Sequence, residues 1–119
     1  MQYLCLIYID ETVWPQLPKA EAEKMSAEYF AFTDEIKKNG HYQGGNRLES
    51  VKSAATVRVR NGKVSATDGP FAETREQLGG YYLIEATDMS GAIQIAAKIP
   101  GARVGSIEVR PIAPVRPAT

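Results

Sequence analysis

The chain holds one cysteine and one histidine, too few for most of the constellations that carry metal or nucleophilic chemistry. Lone Cys5 excludes an internal disulfide, and its setting, Leu4-Cys5-Leu6-Ile7-Tyr8-Ile9, reads as a buried, inert thiol. His41 is far from Cys5 in sequence, so no metal-ligand spacing exists, and neither a metal nor another cofactor is expected. Surplus charge is also missing: Lys and Arg number 14, Asp and Glu 14, for a formal net charge of +0. A balanced chain lacks the electrostatic footprint of a nucleic-acid or anionic-membrane binder. Long apolar runs are absent as well. Residues 2–9 are too short to cross a bilayer, have no basic segment before them, and are followed at once by Asp10-Glu11. That excludes a signal peptide on this reading and leaves the cytoplasm as the expected location.

What the chain does have is ordinary material for a single packed domain. A fold of 119 residues buries about two-thirds of the surface its unfolded chain exposes, so a core forms without staples. The domain is expected to span residues 1–112, with a proline-rich extended tail at 113–119.

Residues 2–9 are nearly continuously apolar and rich in β-formers, the pattern of a strand buried on both faces. Trp14, Pro15 and Pro18 suit a loop, and Pro18 can open a helix as its first residue. Glu21 and Glu23 near the start and Lys37-Lys38 at the end match the helix dipole, and Asn39-Gly40 supplies a left-handed stop. Met25, Tyr29, Phe32 and Ile36 then share one stripe, as a helix packed on a sheet requires. Residues 41–48 read as a short irregular strand broken by Gly44-Gly45.

Alternation in Ala55–Arg60, followed by Asn61-Gly62, predicts a two-residue hairpin returning from Lys63 to about Thr67. A short helix is expected over 71–77, ended by Gly79-Gly80, before a strand over Tyr81–Glu85. Asp88 suits the N-cap of a second helix with Ala92, Ile93, Ala96 and Ile99 on its apolar face, stopped by Pro100-Gly101. Ser106–Arg110 alternates as a last strand. Two β-α-β halves around an inserted hairpin describe an α+β, ferredoxin-like antiparallel sheet with two main helices on one face. The other face is left bare, and a second copy covering it makes a homodimer the natural solution.

The hairpin also places Asp68. With Asn61-Gly62 as the loop, Arg60 faces Lys63, Val59 faces Val64, Val57 faces Ala66 and Ala55 faces Asp68. Residues two apart share a face, so Asp68 ends the Val57, Val59, Val64 side of the ribbon. A carboxylate there serves either as a general base or ligand anchor at a cavity mouth, or as a turn-former before Gly69-Pro70. His41 is the histidine that could join it in acid–base work. Glu73 is a further ligand-binding candidate in the same pocket; its other reading, with Glu76, is as a partner of Arg75. Arg47, after Gly44-Gly45-Asn46, offers an anion-binding guanidinium, against the plainer reading of a turn or bulge. Tyr81 and Tyr82 alternate, so one meets the helices and the other the dimer cavity.

The run Asp68-Gly69-Pro70-Phe71-Ala72-Glu73-Thr74-Arg75-Glu76, continued by Leu78-Gly79-Gly80-Tyr81-Tyr82, closely resembles the signature of the DGPF group of the YCII-related family. The resemblance implies a ferredoxin-like subunit that pairs into a dimeric α/β barrel, with a small-molecule cleft near Asp68. It also implies a functional link to an extracytoplasmic-function sigma factor. Some members resemble lyase- or dehalogenase-like enzymes that use a His–Asp pair on small cyclic substrates. The family histidine belongs on the first helix, and residues 19–38 contain none. The resemblance thus supports small-molecule binding, with acid–base catalysis and a regulatory partnership as alternatives.

Overall fold

The computed structural model describes residues 1–115; the last four residues of the proline-rich tail lie outside them. In chain order the elements are β1 (Gln2–Ile9), α1 (Lys19–Lys38), β2 (Tyr42–Arg47), β3 (Ala55–Arg60), β4 (Lys63–Asp68), β5 (Gln77–Glu85), α2 (Met89–Ala96) and β6 (Ser106–Pro111). Short 3-10 turns occupy Trp14–Gln16, Val51–Ser53 and Pro100–Arg103. The protein is α+β. Four strands form an antiparallel sheet in the order β2-β5-β1-β6, an arrangement compatible with a ferredoxin-like fold.

Strand alternation sorts β1 into two faces. Tyr3, Cys5 and Ile7 are buried against Phe32 and Ile36 of α1 and Ala92 and Ala96 of α2, which puts both helices on one side. Leu4, Leu6 and Tyr8 on the other side are only half-buried. The expectation of a strand covered on both faces is therefore met on one face within a single chain.

Helix α1 begins one residue later than expected. Pro18 is its N-cap, with its carbonyl accepting from the Glu21 and Ala22 N–H groups at 3.0 Å each. At the far end Gly40, at φ 77°, lets the His41 N–H return to the Ile36 carbonyl and its own N–H to that of Lys37. That double closure is the Schellman stop for which Asn39-Gly40 is suited. Met25, Phe32 and Ile36 are buried on the predicted stripe, and Tyr29 packs against the core beside them.

Asp88 caps α2, its Oδ1 accepting from the Gly91 N–H at 2.8 Å. Ala92, Ala96 and Ile99 are buried, but Ile93 is 53% exposed. Successive helical residues turn by about 100°, so Ile93 and Ile95 flank the Ala92–Ala96 line on opposite sides, and Ile95 is on the flank that packs on the core.

β3 and β4 form a separate two-stranded sheet with the register expected, Ala55 opposite Asp68 and Arg60 opposite Lys63. Asn61 at φ 53° and Gly62 at φ 74° give the paired left-handed turn that matches strand twist. Principal extents of 48 × 47 × 18 Å and a radius of gyration of 16.7 Å exceed the ~13.5 Å of a compact domain of this length. The ribbon stands out from the body.

Two expectations fail between β4 and β5. No helix forms over 71–77; residues 69–76 bend without regular structure. The Thr74 hydroxyl donates to the Glu76 carbonyl and Gln77 Nε2 to that of Thr74. One turn of helix needs packing to persist, and Phe71, 80% exposed, has nothing to pack on. Gly79-Gly80 do not end an element either: they lie inside β5. A Cβ on Gly80 would meet the Asn46 carbonyl oxygen at 3.0 Å, so close approach of β2 explains glycine there.

Candidate functional site

Beside the two-helix core, α1 and the sheet part to leave a cleft of about 950 Å³. One wall is a second stripe of α1: Ser26, Phe30, Thr33 and Lys37, spaced by four, three and four residues. Tyr42 and Tyr82 supply the floor, from β2 and β5. Trp14, Arg47 and Leu48 edge the mouth.

The floor is fixed by aromatic packing and a hydroxyl relay. Tyr82 meets Phe32 edge-on at 5.2 Å between centroids and Tyr42 at 6.4 Å. Thr33 gives its only proton to the Tyr29 carbonyl (2.9 Å), so in its 2.7 Å contact with Tyr82 the phenol donates. Burial pushes the Tyr82 phenol above its ordinary pKa. Burial raises Tyr29 likewise, against the Gly101 N–H that its hydroxyl accepts at 3.1 Å. Both phenols stay protonated at neutral pH.

The mouth is held by Glu11. Its two carboxylate oxygens accept from the Val51 N–H (3.0 Å) and the Ser50 hydroxyl (2.9 Å), and its own N–H donates to Gln77 Oε1 at 3.0 Å. Arg47, last residue of β2, lies two residues after Gly45, whose Cβ position faces the Tyr82 ring, so alternation turns Arg47 to the cleft side. Its guanidinium is 6.0 Å from the Trp14 ring centroid, at the outer edge of cation–π range. It has no ion pair among the described residues, whereas Arg103 is paired with Glu28, Lys98 with Glu35 and Arg110 with Glu108. Lys37 Nζ sits 4.9 Å over the Tyr42 ring.

Of the residues singled out from the sequence, Arg47 and Tyr81 border this cleft; Asp68, Glu73 and His41 do not. Tyr81 does so as part of β5, with its ring turned to the far face, where its hydroxyl accepts from Asn46 Nδ2 at 2.8 Å. Asp68 ends β4, is exposed, and accepts no hydrogen bond among the described residues. It shares its ribbon face with Val57, Val59 and Val64, which are 62, 56 and 72% exposed, so within one chain that apolar side faces solvent. Glu73 is exposed in the bend that replaces the expected helix, and Glu76 accepts from the Ser106 hydroxyl rather than pairing with Arg75.

His41 precedes β2, with Nδ1 2.9 Å from the Glu85 carbonyl. The hairpin leaves from the opposite end of β2, roughly 20 Å of strand away, so His41 and Asp68 of one chain form no dyad. Gly44-Gly45-Asn46-Arg47 is strand, with a register irregularity between Tyr42 and Gly44, and not an anion-cradling loop. Among the described residues no group of three or more His, Cys, Asp or Glu side chains is placed to hold a metal ion. No helix among them is long and apolar enough to cross a membrane.

Trp14, Thr33 and Tyr82 were not legible as site residues. The spacing of Ser26, Phe30, Thr33 and Lys37 on α1 was the available signal, a partly apolar second stripe beside the core one.

The sequence pattern of the YCII-related domain matches residues 1–116. An uncharacterized protein of Rhizobium meliloti (strain 1021) is 37% identical over 119 aligned residues, which cover 98% of this chain and 96% of that protein.

Proposed function

The chain belongs to the YCII-related domain family, and on that footing we propose that it is a cytoplasmic, homodimeric binder of a small organic molecule, with the cleft between α1 and the sheet as its site. The observation that carries this reading is the cleft itself. Its volume of about 950 Å³ falls within the range of small-molecule sites, and its walls combine aromatic surface with polar and charged side chains. Separation of His41 from Asp68 within one chain favours binding over acid–base turnover by that pair, because groups that pass a proton must come within hydrogen-bond reach. The site moves accordingly from Asp68 to the Arg47 end of β2.

The dimer rests on the sheet's far face. Leu4, Leu6, Tyr8, Leu78, Tyr81 and Leu83 alternate onto it and are all half-buried in one chain. An antiparallel sheet with water on one side ordinarily carries polar residues there. A second copy packed on this face removes that apolar surface from water. Light scattering at micromolar concentration is expected to give twice the chain mass, and a monomer would sink the paired-sheet reading. For the site, a thermal-shift screen of small metabolites followed by turnover assays is decisive. Ligand-dependent stabilisation without turnover is the expected result; turnover would make the protein an enzyme.

A further inference from the structure

Resting on that reading of the cleft, we propose that its ligand is a flat, apolar organic carboxylate whose anionic group is received by Arg47. Two features of the cleft specify the two parts of such a molecule. The first is its apolar surface. Tyr29, Tyr42 and Tyr82 present half-buried rings, and Phe30 and Leu48 add exposed apolar side chains. The one hydroxyl pair at the floor, Thr33 with Tyr82, has already committed its protons to protein acceptors. Polar groups on the part of a ligand that lies against these rings would be left unpaired. A planar hydrocarbon body loses nothing there.

The second feature is the charge at the mouth. Lys37, Arg47 and Lys52 line the cleft, against Glu11 and Asp34. Glu11 is turned to the loop, both of its oxygens taken by Ser50 and Val51. Asp34 lies one helical turn from Lys37 on α1, and Lys37 Nζ sits over the Tyr42 ring. Arg47 is left as the cation with a planar donor fork, no ion pair among the described residues, and a strand rather than a loop to hold it. The Trp14 ring lies beside it, 6.0 Å from the guanidinium to the ring centroid. A guanidinium in this setting matches a carboxylate bidentately, which an ammonium does not.

Trp14 is the only tryptophan, so its indole N–H gives one assignable nitrogen–proton NMR signal next to Arg47. The test titrates the whole chain with 2-naphthoate and with its neutral isostere 2-naphthamide, following that signal. Naphthoate is expected to shift it with an affinity at least about tenfold tighter than naphthamide, the difference one charge-assisted hydrogen bond makes at a partly solvated site. Arg47→Gln is expected to erase the difference, and Arg47→Lys to restore only part of it. Equal shifts by both probes, or a preference that survives Arg47→Gln, would overturn the carboxylate inference and leave small-molecule binding intact. If neither probe moves the Trp14 signal, the flat-carboxylate inference falls, and the metabolite screen alone then decides small-molecule binding.

Discussion

Replacing Cys5 by alanine and then raising the pH separates the thiol's packing from its ionisation. Cys5 is 0% exposed at the middle of β1, opposite Tyr82 on one side and Val109 on the other. Burial pushes its pKa from 9.0 to about 11. The folded state therefore prefers the protonated thiol, and the unfolded chain releases the proton first. The stabilisation is full below about pH 9 and is lost as the pH climbs toward 11. With those two values the wild type loses a fraction of a kcal/mol by pH 9 and about 1 kcal/mol by pH 10, relative to a chain without the thiol.

Urea unfolding under reducing conditions at pH 7, 8, 9 and 10, for wild type and Cys5→Ala, measures this directly. The alanine variant loses a fixed increment from the sulfur contacts at every pH. Tyr29 and Tyr82 are also raised by burial and weaken both proteins in alkali, so they cancel in the difference. The gap between wild type and variant should then narrow from pH 8 to pH 10. A constant gap would refute the reasoning, because the thiol would then ionise as easily folded as unfolded.

Gly105→Ala should destabilise by about 2 kcal/mol or more, since a Cβ there falls 2.1 Å from the Tyr8 carbonyl oxygen and only backbone movement relieves it. Gly44→Ala, which meets nothing within 4 Å, should stay within about 0.5 kcal/mol, and equal losses in a denaturant series would contradict the packing at the β1–β6 edge. Asp68→Asn, at an exposed carboxylate with no hydrogen-bond partner among the described residues, should also change stability by less than about 0.5 kcal/mol. A loss several times larger in the same assay would show that the carboxylate has a partner in the assembled protein.

Local chemistry was legible. Asn61-Gly62 fixes a turn by its own backbone preference, so the register followed, down to Ala55 opposite Asp68. Asn39-Gly40 and Asp88 act through hydrogen bonds within a few residues, and those ends fall where the sequence places them. The misreadings needed contacts from elsewhere. Ala72-Glu73-Thr74-Arg75-Glu76 has helix-forming residues, but a helix there has nothing to bury Phe71. Gly79-Gly80 reads as punctuation until β2 and β1 close on both sides of it. The cleft is the extreme case: Trp14, Thr33, Arg47 and Tyr82 come together only after the sheet has formed, and the second stripe of α1 is the one part of it that spacing announces.

The signature run and the cleft are nonetheless connected, by hydrogen bonds rather than by shared walls. Thr74 and Gln77 pin the bend after Asp68. Gln77 then accepts the Glu11 N–H, and Glu11 accepts from Ser50 and Val51 at the other root of the hairpin. The run Asp68–Glu76 thereby fixes where β5 begins, and with it the separation of the two segments that form the cleft mouth. A sequence can be tightly specified for that task without any of its side chains touching a ligand.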